Sequence, residues 1–268
     1  MTGANVNVYS VGHSATALFC GTDQGVYRST DNGASWVNVN GPLPASGPAI
    51  HCTKIYTFGD ATFLVYTGEV GTNGGGVFRT FDNGTTWLQA FSGLSVNMIV
   101  SNLDEYGGFI YAATSTALMR SSDMGGSWQQ VGNTNWAIRS VQGAYGSLVI
   151  LGAFGAQRST NNGQSWLPSN SSGAPTYGSP TITNCPLGSE LIAYDGKFFA
   201  ITKTSSTGAL RSLDNGATWQ PYNDGLSPQD IFAQDEFHAS STHLYIAFVS
   251  NLYFSRFGVF KQYSLTVV

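Results

Sequence analysis

Apolar residues in this chain gather in short runs broken by turn-forming stretches, not in stripes spaced three or four apart. Runs such as "ATALFCGT" (15–22), "ATFLVYTG" (61–68), "GFIYAAT" (108–114), "SLVILGAF" (147–154) and "KFFAITKT" (197–204) are rich in β-branched and aromatic residues. Each is about one strand long and ends in Gly, Thr or Ser or close to one, which is the signature of a buried strand bounded by turns. A second run precedes each of them: "NVYSVGHS", "IHCTKIYTFG", "VNMIVSNLDEYG", "IRSVQGAYG" and "SELIAYDG". The pattern predicts an all-β protein of many short strands.

After each pair of runs comes a polar stretch that repeats: "YRSTDNGASW" (27–36), "FRTFDNGTTW" (78–87), "MRSSDMGGSW" (119–128), "QRSTNNGQSW" (157–166) and "LRSLDNGATW" (210–219). The shared pattern is Arg-x-x-Asp-x-Gly-x-Ser/Thr-Trp, with Trp-to-Trp spacings of 51, 41, 38 and 53 residues. A period of this length marks a repeat architecture. Each unit reads as four strands, A to D, with the polar stretch between C and D. Residues 230–268 form a sixth unit without the motif, in which "GVFKQYS" is read as strand C and Lys261 takes the arginine's place. Six four-stranded units over residues 1–268 predict one β-propeller domain of six blades, because radial repetition leaves only short edges. Seven blades, an open ring and a β-solenoid are the alternatives.

In the repeat, Asp31, Asp82, Asp123 and Asp214, with Asn161 in the fourth copy, are expected to accept hydrogen bonds from backbone N–H groups one to three residues on. Gly33, Gly84, Gly125, Gly163 and Gly216 supply positive φ without steric cost. Trp36, Trp87, Trp128, Trp166 and Trp219 then open strand D and bury apolar area between units. Five near-identical copies cannot share one site, so these residues are structural. The motif Ser/Thr-x-Asp-x-Gly-x-Thr/Ser-Trp resembles the Asp-box, or bacterial neuraminidase repeat. Similar boxes occur in sialidases, xyloglucan-degrading enzymes, sortilin-type receptors and a photosystem assembly factor. The resemblance implies a β-propeller whose boxes lie at the outer rim, far from any active site. It leaves function open, because unrelated activities share this fold.

Charge and composition narrow the function. Only 10% of residues are charged, the formal net charge is −4, and no Lys/Arg cluster exists. A nucleic-acid footprint is therefore absent. No apolar run approaches the roughly 18 residues of a membrane span, so no membrane insertion is expected. A Ser/Thr/Asn/Gly-rich surface of low charge points to an extracellular, cell-surface or periplasmic protein, though "MTGANVNVYS" has no signal-peptide pattern. Cys20, Cys52 and Cys185 match no metal motif. Buried free thiols are expected, with a Cys20–Cys52 disulfide as the alternative. No cofactor and no metal are expected, and the chain is read as a monomer.

A sialidase clamps a carboxylate between three arginines. Of the seven arginines here, Arg28, Arg79, Arg120, Arg158 and Arg211 occupy the repeat position, leaving Arg139 and Arg256. Sialidase activity is not expected. Alternation of turns puts the A–B and C–D turns at one end of each unit and the B–C and D–A connections at the other. Asp60, Asp104, Glu105, Asp195, His238 and His243 are assigned to A–B turns, as solvated hairpin residues. The longer loops, 40–50, 67–76, 168–180 and 221–230, lie at the opposite end, where functional loops concentrate. They carry Glu69, Asp224 and Asp230, with Asp23 nearby in a B–C turn. The leading reading is a non-catalytic binding or scaffold propeller that takes a glycan or protein partner through Trp136, Tyr177 and Tyr222. The alternative is a glycoside hydrolase of the Asp-box group, using Glu69 with a facing Asp23 or Asp224, since that chemistry needs two carboxylates across the scissile bond. His51 is read as a satisfied strand residue.

Overall fold

The computed structural model describes residues 6–44, 51–66, 70, 75–168, 190–201, 209–222, 234–239, 244–248, 252–255 and 260–263, with only the backbone described from 234 onward apart from Leu244. Among these residues there is no helix, and the strands form six four-stranded antiparallel sheets in simple up-and-down order. The chain divides into two compact units, Met1–Asn135 and Trp136–Val268.

Unit one holds three sheets. The first has β1 (Val8–His13), β2 (Leu18–Thr22), β3 (Gly25–Ser29) and β4 (Val37–Asn38). The second has β5 (Cys52–Phe58), β6 (Ala61–Tyr66), β7 (Gly76–Thr80) and β8 (Leu88–Gln89). The third has β9 (Val100–Tyr106), β10 (Phe109–Thr114), β11 (Leu118–Ser121) and β12 (Gln129–Gln130). Unit two repeats the plan. Its sheets are β13 (Ile138–Ala144), β14 (Ser147–Gly152), β15 (Gly155–Ser159) and β16 (Leu167–Pro168); β17 (Glu190–Tyr194), β18 (Lys197–Ile201), β19 (Ala209–Ser212) and β20 (Gln220–Pro221); and β21 (Gln234–Ala239), β22 (Leu244–Phe248), β23 (Leu252–Ser255) and β24 (Phe260–Tyr263).

The second strand of each of the first five sheets reads as a continuous apolar run because both of its faces are covered, as in any doubly buried strand. In β6, Phe63 and Val65 enter a cluster with Leu103, Ile110, Met119 and Trp128 of the third sheet. Leu64 and Tyr66 point the other way, into a cluster with Phe19, Val26 and Cys52. In β18 the same alternation sends Phe198 and Ala200 towards Val149 and Leu151, and Phe199 and Ile201 towards Leu244. Sheets within a unit thus stack face to face. Gly21 permits the close approach of the first pair: a Cβ there would lie 2.8 Å from the Cys52 carbonyl. Ser10 Oγ donates to that carbonyl at 2.9 Å.

Several expectations change here. Asp104 and Glu105 belong to strand β9, whose turn is Gly107-Gly108, and His238 lies in β21. His243 and Cys185 lie outside the described residues. Cys20 and Cys52 keep the leading expectation, both buried and free, and the disulfide alternative falls; burial pushes the Cys52 thiol up to about 12. In the last sheet Lys261 is on the fourth strand. Its partner is Phe254 of β23, and Phe254 stands opposite Tyr245 just as Arg28 stands opposite Phe19. The arginine position of this sheet is therefore Phe254, and the apolar similarity of "GVFKQYS" to a third strand arises because strands three and four both carry aromatics.

Candidate functional site

Antiparallel order gives every sheet two chemically different ends. At one end sits the repeated Asp-x-Gly turn. Its centre is the serine or threonine after the arginine, whose role residue spacing alone did not disclose. Ser121 Oγ donates to Asp123 Oδ1 (2.7 Å) and accepts the Gly125 amide (2.8 Å). Ser29, Thr80, Ser159 and Ser212 make the same pair of bonds in their turns. All five hydroxyl-bearing residues are buried. The aspartate then caps the amide four residues on, beyond the expected range: Asp31 Oδ1 takes Ser35 N at 2.8 Å. Asn161 takes Ser165 N at 2.9 Å in the same way.

These bonds act on the carboxylates. The Ser35 hydroxyl and amide hold Asp31 down at about 2. The Thr86 and Thr80 hydroxyls do so for Asp82, and the Ser121 hydroxyl with the Ser127 amide for Asp123, both at about 2. Burial pushes Asp214 up, but Thr218 and Ser212 outweigh it and its carboxyl lies below the usual range. All are charged acceptors with no proton to give. The turn also needs two consecutive residues of positive φ: Asn32 (56°) with Gly33 (89°), and likewise Asn83, Met124, Asn162 and Asn215 before their glycines.

Arginine and tryptophan side chains link neighbouring sheets in unit one. Arg28 Nη1 donates to the Asn83 carbonyl at 2.7 Å, and Arg79 Nη1 to the carbonyls of Asp123 (3.0 Å) and Met124. Trp87 Nε1 donates to Val39 O and Trp128 Nε1 to Ala90 O, both at 2.8 Å. Trp87, Trp128 and Trp219 are buried, while Trp36 and Trp166 are only half-buried. This end is scaffold.

The other end carries the B–C turns and the connections between sheets. In unit two, Trp136 stands just before β13 and Phe154 in the β14–β15 turn. Their rings meet edge to face at 5.3 Å, and Phe154 is 69% exposed. Gly152 makes room for the indole, since a Cβ there would lie 2.4 Å from Trp136. Trp136 is thus half-buried, not the free side chain expected from its polar flanks. Arg139 lies at the adjacent β-bulge, where the register shifts between Ile138 and Ser140. Its Nε is buried and makes no hydrogen bond among the described residues. Bulges commonly re-aim a side chain at a site. In unit one, Tyr9 occupies the corresponding bulge of β1 and stacks on His51, with ring centroids 3.6 Å apart.

Of the carboxylates named as a catalytic pair, only Asp23 is among the described residues. Asp23 accepts the Asn7 amide (3.2 Å) and side chain (2.8 Å), which tethers the segment before β1. Glu69, Asp224, Asp230 and Tyr177 lie outside the described residues. Tyr222 is buried, tilted against Phe199 at 5.2 Å with the Arg211 guanidinium over its ring at 5.0 Å. It is core, not contact surface. Among the described residues no three His, Cys, Asp or Glu side chains converge on a metal-sized site.

No family model and no curated protein matches this chain in sequence. Solved structures do match in shape. YCF48 bound to a D1 peptide superposes with a TM-score of 0.64 at 16% identity, over 96% of this chain and 82% of that one. The likeness is one of fold, and that fold is the β-propeller type. A GH74 enzyme from Niastella koreensis gives 0.58 at 20% identity over 90% of this chain. PorZ, a surface component of the type-IX secretion system of Porphyromonas gingivalis, gives 0.66 at 10% identity over 98%. This chain spans only 36% and 33% of those two. One fold therefore hosts a peptide-bound protein, an enzyme and a secretion component, so function must be argued from the site.

Proposed function

We propose that residues 1–268 form a single Asp-box β-propeller domain of six blades that binds a glycan or protein segment, without catalysis, through the end bearing the long loops. The observation that carries this reading is the Trp136–Phe154 pair, an exposed aromatic edge fixed by Gly152, with Arg139, whose Nε has no hydrogen-bond partner among the described residues, at the start of the same strand. Rigid aromatics supply contact area at low entropic cost, and an arginine adds directional hydrogen bonds. That YCF48 was captured with a peptide supports a protein ligand by analogy of fold. Surface and extracellular domains among the similar structures support a location outside the cytoplasm.

A glycan array and a peptide array probed with the chain and with Phe154→Ser, Trp136→Ala test this reading. Selective binding that weakens about a hundredfold in the variant is expected, as for a pair of hot-spot aromatics. Equal binding by both proteins overturns it. Hydrolysis of a bound glycan, abolished by Glu69→Gln, would establish the glycosidase alternative instead.

A further inference from the structure

Four of the five repeated turns carry the same reactive dipeptide at their tips: Asn32-Gly33, Asn83-Gly84, Asn162-Gly163 and Asn215-Gly216. Asparagine is a labile residue, and in a flexible chain this pair reacts on its own. The glycine amide nitrogen attacks Cγ of the asparagine carboxamide, ammonia leaves with the amide proton, and a succinimide ring forms. Water then opens the ring to aspartate or isoaspartate. Glycine eases the attack because it has no Cβ and turns freely. Asn32 and Asn83 are exposed, and Asn162 and Asn215 are half-buried, so water reaches all four.

The folded turn holds each nucleophile still. The N–H of Gly33 is donated to Ser29 Oγ (2.8 Å), that of Gly84 to Thr80 Oγ1 (2.9 Å), that of Gly163 to Ser159 Oγ (2.9 Å) and that of Gly216 to Ser212 Oγ (2.8 Å). These four hydroxyl-bearing residues are buried. A backbone bond closes each turn around its asparagine, from Ala34 N to the Asp31 carbonyl in the first (3.3 Å) and likewise in the other three. All four asparagines are held left-handed, with φ between 54° and 57°. At Asn83 the side chain is tied as well, since its Oδ1 accepts Ser14 Oγ at 2.8 Å. To react, the glycine amide must leave its hydroxyl and the asparagine its φ, which is a local opening of the turn.

We propose that Asn32, Asn83, Asn162 and Asn215 are deamidation sites gated by their own turns. The buried hydroxyl that builds the turn also withholds the glycine nitrogen, so the chemistry proceeds only from the opened turn. An isoaspartate adds a methylene to the main chain where the turn requires a left-handed residue, and one event therefore keeps the turn open. At residue 83 it also displaces the carbonyl that Arg28 clasps, which loosens the first sheet from the second. The third turn has Met124 before its glycine and is immune. The four sites thus record, as a lasting mark, which turn has opened.

The test is peptide mapping by mass spectrometry of the folded full chain, aged in mildly alkaline heavy-oxygen water beside the synthetic peptide of residues 27–36. The heavy oxygen enters each site as its succinimide opens, which separates ageing from later digestion in ordinary water. Each of the four turns is expected to react at least about tenfold more slowly than the peptide. Ser29→Ala is expected to speed Asn32 about tenfold and to leave Asn83, Asn162 and Asn215 unchanged, while Ser29→Thr, the residue type at position 80, stays slow. Ser159→Ala, read at Asn162, repeats the comparison in unit two. Reaction of the folded chain at the peptide's rate, equal rates at Asn32 in Ser29→Ala and Ser29→Thr, or a rise at all four sites alike in both alanine variants overturns the proposal.

Discussion

At the residue scale, the repeated turn depends on one hydroxyl and two left-handed residues. Ser121 both donates to Asp123 and accepts from Gly125. Ser121→Ala leaves a buried amide unpaired, and a loss of about 1–3 kcal/mol is expected in urea denaturation. Asn32 shows the backbone term alone, because it is exposed. Asn32→Ala at φ 56° is expected to cost about 1 kcal/mol, while Asn32→Gly leaves stability within a few tenths of a kcal/mol. Equal stabilities of the two variants would remove the left-handed requirement. The aspartates set an acid limit. Asp31, Asp82 and Asp123 titrate at about 2 in the folded chain, below their ordinary value of 3.8. Their contribution is therefore present above pH 4 and is lost as pH falls through 2. A variant with all three changed to Asn, as nature has at Asn161, should match the parent in slope of stability above pH 4 and lose less between pH 4 and 2. Urea melts across that range decide it.

At the element scale, arginine and tryptophan couple sheets that do not share a β-ladder. Arg79 spans from β7 to the third sheet's turn. Replacing it with Met keeps much of the packing but leaves its two carbonyl acceptors to water, and about 1–3 kcal/mol of destabilisation is expected. Arg211→Met should behave differently, since Arg211 covers the Tyr222 ring; a loss near 1 kcal/mol fits a cation–π contact of this kind. Comparison of the two melts separates the roles. The alternation in β6 and β18 explains why these strands show no polar face: each serves two clusters at once.

At the scale of the whole molecule, the single-domain proposal makes the last strand structural. Deleting residues 259–268 removes β24, and a drop in melting temperature of roughly 5 °C or more is expected. An unchanged melting curve would separate the last sheet from the rest of the fold. A uniform fold of repeated sheets also leaves the opposite end free to vary. The residues there are not constrained by the repeat, which is why Trp136 and Phe154 have no counterparts at matching positions in the motif.

The amino-acid sequence by itself determined the strand order, the five turns, the four-strand unit and the structural role of the turn aspartates. These follow from local chemistry: alternation of turns and runs, the φ freedom of glycine, and side chains that bond within a few residues. Sequence also sorted the connections into two ends, because antiparallel order alone divides the loops into two sets. Only the tertiary structure decided which aromatics are exposed. Tyr222 and Trp136 have similar polar neighbours in sequence, yet a cluster shared with Leu244 of the next sheet buries the first and a glycine pocket presents the edge of the second. Register decided that Phe254 and not Lys261 takes the arginine position, since a shift of strand assignment is invisible where two adjacent strands are equally aromatic. Pairing across distant segments sets burial and register, and such pairing is not written in any local stretch of the chain.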